Sequence, residues 1–254
     1  NIHFDVCFGV SAGSANISSY LSGQAGRNYV FYTEYSFRRE YMSPGNWIRT
    51  RNYLDLDYIY GTLSNSDGEY PLDYPAAASN PAIFKIVATE SWSGRPCYFD
   101  FKDTKQDDYG AIKASCCVPV VNRPYIVDGN EYFDGGISDP VPFQKCFDLG
   151  CDKVVLILTK PKDFRRLPED DKWSVRLLRK KYPASAKAME KRAETYNKEL
   201  DQAAELEKQG KLLIVAPDDI GGMKTLTKNR QKMDRLYRKG KKDAERIPAF
   251  LAAD

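Results

Sequence analysis

Ser11 lies in Gly9-Val10-Ser11-Ala12-Gly13, a G-x-S-x-G pentapeptide. Small neighbours let a chain turn sharply from strand to helix and leave the serine hydroxyl exposed as a nucleophile. A serine becomes nucleophilic only when a base takes its proton, and the chain holds one histidine, His3. His3 stands eight residues upstream, on or just before the strand that feeds the turn, roughly 26 Å away in extended chain at about 3.3 Å per residue. No Ser-His-Asp triad can be assembled from these residues, and one would need a histidine from outside them. The base must then be a carboxylate. Phe133-Asp134-Gly135-Gly136 offers one, at the end of a short aromatic run and next to two glycines that permit positive φ and close backbone approach. Asp128 and Asp139 are rivals within a few residues, but Asp128 sits in a turn and Asp139 precedes Pro140, so both read as solvated turn caps. The chemistry of such a pair is acyl transfer. Ser11 attacks an ester carbonyl, the carboxylate accepts its proton and returns it to the leaving alcohol, and water releases the acyl-enzyme. An aspartate with a pKa near 3.9 is a weak base for a hydroxyl, so an apolar setting that raises it is expected.

The elements that would position these groups can be read from periodicity. Phe4, Val6, Phe8 and Val10 alternate as a strand, and Ala12 to Leu21 open a helix directly after the serine. Tyr29 to Met42 reads as a helix rich in aromatics, and Asn46 to Pro81 as a long polar, tyrosine-rich excursion suited to a lid or cleft wall. Ile83 to Thr89 is a strand with Tyr98 to Phe101 as its hairpin partner, and Asp107 to Ser115 a helix. Tyr125-Ile126-Val127 and Glu131-Tyr132-Phe133 flank Asp128-Gly129-Asn130 as a hairpin whose second strand ends at Asp134. Ala114-Ser115-Cys116-Cys117-Val118-Pro119 is a helix end of small residues stopped by proline. Val141 to Leu149 is helical, and 153–159 is an unbroken apolar run that reads as a buried strand. From Pro161 the composition turns charged: helices at Trp173 to Lys181, Ala184 to Gln209, and Thr227 to Ala253 with a break near Gly240 or Pro248. A returning strand at Leu212 to Ala216 is expected to complete the same sheet.

Gly9 to Gly13, Ala114-Ser115 with Pro119, and Asp134-Gly135-Gly136, in this order, resemble the patatin-like phospholipase family. Val87-Ala88-Thr89-Glu90 followed by Gly94 is similar to that family's central strand and turn, where an aspartate more often stands at position 90. The resemblance covers roughly residues 4 to 160. It implies a three-layer α/β fold with a central, mostly parallel sheet flanked by helices, here with a helical C-terminal flank. It also implies a lipid acyl hydrolase using a Ser-Asp dyad, with Ser11 as nucleophile and Asp134 as base. Ala12 would supply an oxyanion amide, and Gly9, Gly13, Gly135 and Gly136 would support the two turns. The family also carries a glycine-rich loop of the D-G-G-G-x-R-G type before the nucleophile, and none lies among the ten residues preceding Ser11. An upstream strand and loop beyond Asn1 are therefore expected. The competing expectation is a noncatalytic or regulatory module of the same family that binds lipid or a protein partner.

The 254 residues, 42% hydrophobic and 13% aromatic, suffice for a sizeable core. They are read as one domain, 1–254, in which 161–254 is the charged helical flank. Cys7, Cys97, Cys116, Cys117, Cys146 and Cys151 show no C-x-x-C pair and read as reduced thiols in a cytoplasmic protein. One histidine and unpaired cysteines leave no zinc set, the acidic pairs lack EF-hand spacing, and a Ser-Asp dyad needs neither metal nor cofactor. Gly221-Gly222-Met223-Lys224-Thr225 lacks phosphate-loop spacing and reads as a turn before a helix. The net charge is +3, with cations clustered at Arg176, Arg179, Lys180 and Lys181 and again between Lys224 and Lys242. Interleaved acids mark solvated helix faces, with peripheral contact to anionic membrane as the functional alternative. No nucleic-acid motif accompanies the charge. The expected partner is a phospholipid or other acyl-ester substrate, and nothing in the sequence sets an oligomeric state.

Overall fold

The computed structural model describes residues 2–224 and 226–253. Asn1 and Thr225, the latter part of the Gly221 to Thr225 segment, lie outside the described residues. Along the chain follow β1 (Val6–Val10), α1 (Ala12–Leu21), α2 (Arg27–Thr33), α3 (Pro44–Thr50), α4 (Tyr74–Ser79), β2 (Ile83–Glu90), β3 (Pro96–Asp100), α5 (Gly110–Ser115), β4 (Tyr125–Val127), β5 (Asn130–Asp134), α6 (Phe143–Asp148), β6 (Val154–Ile157), α7 (Lys172–Leu178), α8 (Pro183–Lys208), β7 (Leu212–Val215), α9 (Arg230–Ala244) and α10 (Ile247–Ala252). Successive side chains of a strand take opposite faces, and β1 uses this to join two cores. Cys7 enters a core with Ala15 of α1, Phe84 and Ile86 of β2, and Ala111 and Ile112 of α5. Val6 and Phe8 pack on the other face against Phe143 and Cys146 of α6 and Tyr196 and Leu200 of α8. A sheet with helices on both faces results.

β1 runs parallel to β2 with Val10 opposite Val87. β3 runs antiparallel to β2 from Lys85 to Thr89, and β5 runs antiparallel to it with Asp134 opposite Ala88. Each strand residue has two edges. Val87 is paired with both β1 and β3, and Ala88 with both β3 and β5, so β1 and β5 share the edge of β2 that faces away from β3. They approach along it from opposite directions and stop one residue apart. The residue after Val10 and the last residue of β5 are thereby brought together across 123 positions of sequence.

The sheet departs from the expected mostly parallel order. Its β2–β3, β2–β5 and β4–β5 pairs are antiparallel; for β2–β3 and β4–β5 the connections at 91–95 and at Asp128-Gly129 are tight turns that can join only antiparallel neighbours. Asp128 and Gly129 both take positive φ, 48° and 78°, as the favoured two-residue hairpin turn requires. β7 does not complete this sheet either: β6 and β7 pair in parallel with each other in a separate two-stranded sheet. β7 has its own apolar support, since Leu213 and Val215 pack with Ile247 of α10. Ile157 of β6 is 68% exposed, so the apolar run there is an edge rather than a buried strand.

One helical reading changes, and the long excursion after it is packed. The stretch 29–42 is interrupted: α2 ends at Thr33, Glu34 leaves the helical region, and a short 3₁₀ turn follows at Tyr35–Phe37. The stretch 46–81 is anchored to the core, because Leu54, Leu56, Ile59, Leu63 and Leu72 are all buried. The C-terminal break falls between α9 and α10, just before Pro248, while Gly240 stays inside α9. α9 buries no side chain and rests on α2 through a Tyr29–Tyr237 ring contact at 4.4 Å and a hydrogen bond from the Tyr29 hydroxyl to Asp234. All six cysteines are free thiols.

Close packing at Gly135 holds β5 against β2: a Cβ there would lie 2.3 Å from the Val87 carbonyl oxygen. At Gly13 a Cβ meets nothing within 4 Å. Gly135→Ala should therefore cost about 2 kcal/mol or more in a denaturant titration, whereas Gly13→Ala, inside α1, should be neutral or stabilising by up to about 1 kcal/mol. Asp139, contrary to its reading as a solvated cap, is buried. It accepts from the Tyr98 hydroxyl and faces Glu199 of α8, which accepts from the Val141 amide at 3.1 Å. Burial, then the charge of Asp139, raises Glu199 to about 8. The native state thus keeps a proton that the unfolded chain releases above the ordinary glutamate range. Stability should fall as pH rises from about 5 toward 8 and level off beyond, and Glu199→Gln should flatten that slope in thermal melts.

Candidate active site

Ser11 follows β1 and precedes α1, and it takes φ 54°, ψ −129°, a backbone region that side chains other than glycine avoid. Such a conformation costs on the order of 1–3 kcal/mol and persists only where its surroundings impose it. Gly9 is one imposing element: a Cβ there would sit 2.5 Å from the Cα of Ser14, so the strand can fold back onto the first turn of α1 only with glycine at that position. Ser14 completes the turn, its amide and hydroxyl both donating to the Ser11 carbonyl at 2.9 Å and 2.7 Å. The other constraint comes from α5. The Ser115 hydroxyl accepts from the Ser11 amide at 2.8 Å and donates to the Val87 carbonyl at 2.6 Å, tying the turn to the point on β2 where β1 stops. The sequence marked Ser115 within a small-residue helix end but gave it no role. Its only local signal is that it stands among alanines and cysteines at a helix terminus.

Asp134 arrives from the other side. Its backbone amide donates to the Cys117 carbonyl at 2.8 Å, and its carbonyl accepts from the Thr89 hydroxyl at 2.9 Å. Its Oδ1 accepts from the Gly136 amide at 2.8 Å, and a Cβ on Gly136 would lie 3.1 Å from that oxygen. The backbone is thus fixed on both sides and one carboxylate oxygen is engaged. Burial raises the Asp134 carboxyl above its usual range, and a hydrogen bond with the Ser11 side chain, the Gly136 amide and the charges of Arg192 and Arg166 pull it partly back. The strand register thus brings Ser11 and the buried Asp134 to adjoining strand ends.

The remaining candidates fall into place around this pair. Ala12 is the first residue of α1, with its amide at a helix start and no acceptor for it among the described residues. Gly13 is not required by any close contact in that space. His3 is exposed and precedes β1, at the end of the strand remote from Ser11. Asp128 is exposed in its hairpin turn, and Asp139 is engaged with Tyr98. Glu90 closes the turn after β2, where Gly94 takes φ 66° and a Cβ would lie 2.6 Å from the Ala184 carbonyl oxygen. Cys116 and Cys7 do not compete as nucleophiles, since burial pushes their thiols up to about 12 and about 11. No group of three or more metal-ligating side chains occurs among the described residues.

Residues 182–251 match a family model described as a domain of unknown function, DUF6363, which takes in all of α8 and runs into α10. An uncharacterized protein of Escherichia coli (strain K12), YjjU, is 30% identical over 170 residues, 65% of this chain and 46% of that relative. The chain spans about half the length of the curated relative it matches. Residues 1–147, which contain both Ser11 and Asp134, match the model described as Patatin-like phospholipase, and the chain belongs to that family.

Proposed function

We propose that the protein is a serine lipid acyl hydrolase that cleaves acyl esters of phospholipids or related lipids. The observation that carries this reading is the register that sets Ser11, in its strained turn, and the buried Asp134 at adjoining ends of β1 and β5. Asp134 takes the Ser11 proton as the hydroxyl attacks the ester carbonyl, and it returns the proton to the leaving alcohol. The Ala12 amide faces the oxygen on which negative charge develops. Water then attacks the acyl-enzyme, again with Asp134 as base. Membership of the family supports a lipid substrate. No helix among the described residues is long and apolar enough to cross a membrane. On α7 and just after it, exposed Trp173 and Leu177 stand near exposed Arg176 and Lys180, a combination of apolar and cationic groups that suits peripheral contact with anionic lipid.

A fluorophosphonate probe applied to the intact protein should label Ser11, and Ser11→Gly should abolish both labelling and ester turnover. Because glycine accepts the backbone conformation that serine holds under strain, Ser11→Gly should also gain about 1 kcal/mol in chemical denaturation. Persistent labelling in that variant would remove Ser11 from the mechanism, and an unlabelled, inactive wild-type protein would favour a noncatalytic lipid-binding or protein-binding module. Asp134→Asn should lower kcat by at least about 100-fold with an unchanged or raised Tm, since the native state no longer has to desolvate that charge at neutral pH. In the wild type, turnover should fall on acidification at a pH above the usual carboxylate range, as the raised Asp134 becomes protonated.

A further inference from the structure

Ser115 takes no part in acid–base chemistry, yet its hydroxyl joins the Ser11 turn to the sheet. It ends α5 and is fully buried, at 0% exposure. A hydroxyl offers one donor and two acceptor lone pairs, and Ser115 engages both kinds with backbone. It donates to the Val87 carbonyl at 2.6 Å and accepts from the Ser11 amide at 2.8 Å. Val87 is itself buried and lies inside β2, paired with Val10 of β1 and Tyr98 of β3, so the hydroxyl is anchored at a rigid point. The end of α5 is fixed as well. The Cys116 amide donates to the Ile112 carbonyl at 3.0 Å and the Cys117 amide to the Ala114 carbonyl at 3.1 Å, while the Cys117 carbonyl accepts from the Asp134 amide at 2.8 Å.

Ser11 is thereby gripped at both ends of its own backbone. Its carbonyl accepts from the Ser14 amide and hydroxyl, a grip that belongs to α1. Its amide donates to Ser115, a grip that belongs to β2. At φ 54°, ψ −129° the residue lies outside the regions a serine adopts unaided, so releasing the amide lets φ relax while the rest of α1 stays folded. The side chain leaves the backbone at Cα, and its direction turns with φ. The Ser115 hydroxyl also divides the work of two neighbouring amides: that of Ser11 is engaged, and that of Ala12, the first residue of α1, has no acceptor among the described residues. We propose that Ser115 is a positioning residue for the nucleophile, binding the Ser11 amide to the sheet so that the Ser11 hydroxyl keeps its direction and the Ala12 amide is the one left to donate. Its effect on rate rests on the hydrolase reading, but its hold on the Ser11 backbone does not.

Ser115→Ala in the intact protein removes both bonds and leaves Asp134 in place. On a short-chain acyl ester, kcat and the maximal rate of fluorophosphonate labelling should each fall about 10- to 100-fold, with KM and the acid limb of the pH profile unchanged and far-UV circular dichroism confirming the fold. Ser115→Cys, whose thiol is a weaker donor and acceptor, should lie between the two, and it carries the kinetic test if the alanine variant does not fold. A double-mutant cycle in denaturant reads the same hold without turnover. Ser11→Gly leaves no strained serine to relax, so in that background Ser115→Ala should lower the folding equilibrium constant about threefold more than it does in the wild type. Wild-type rates in the Ser115 variants, a raised KM at constant kcat, or strict additivity in the cycle would overturn the assignment. So would a shifted acid limb, which would mean that Ser115 acts on Asp134. An inactive, unlabelled wild type would remove the hydrolase reading alone, and the cycle would then decide whether Ser115 holds the Ser11 backbone.

Discussion

The register of β2 is the constraint on which the site depends. One of its edges carries two strands that run toward each other, β1 ending opposite Val87 and β5 opposite Ala88. Where they stop, the Val87 carbonyl has no strand partner to continue the ladder. It is served instead by the Ser115 hydroxyl and pressed by Gly135. Three segments distant in sequence thereby converge on one carbonyl group, and Ser11 and Asp134 occupy the two strand ends that flank it. A buried carbonyl must find a donor, and here satisfying it also fixes the reactive turn.

The price of that arrangement falls on Ser11 and Asp134 themselves. Ser11 is held in a backbone conformation suited to glycine, and Asp134 is buried in a setting that disfavours its charge. Neither state would survive on a mobile loop. Both persist because the surrounding contacts belong to rigid elements: the first turn of α1, the end of α5 and the ladder of β2 over-determine the backbone at both positions. Strain concentrated at two residues and supported by an unstrained frame is what a preorganised reactive pair requires.

Much of this was legible from local pattern. The alternation before Ser11 and the small residues after it gave β1 and α1, and Asp128-Gly129 gave the hairpin that delivers Asp134. Ser115 was visible as part of a motif, but its role arises from a contact across 104 positions that no local spacing encodes. The mixed order of the sheet and the separate pairing of β6 with β7 were not legible, because an apolar run states that a strand will be covered without saying by what. Leu54, Leu56, Ile59 and Leu63 were masked in the same way by the polar and tyrosine-rich residues between them, though Ile59 and Leu63 do stand at helical spacing. Asp139 misled because a carboxylate before proline is most often solvated, and only the fold brings Tyr98 and Glu199 to it.

α9 stands apart from the two cores that β1 joins. It buries none of its side chains and is fastened to α2 by a ring contact, one phenol–carboxylate hydrogen bond and the Arg230–Glu34 ion pair. Surface attachments of this kind are individually weak and screened by salt, and the apolar residues of α9, Met233, Leu236 and Ala244 among them, are only half-buried. The segment can lift from the helix that follows α1 and settle again while the sheet stays intact, and among the helices its amides should be the quickest to exchange with solvent. Ionic strength, more than temperature, would govern how often this part of the surface stands open.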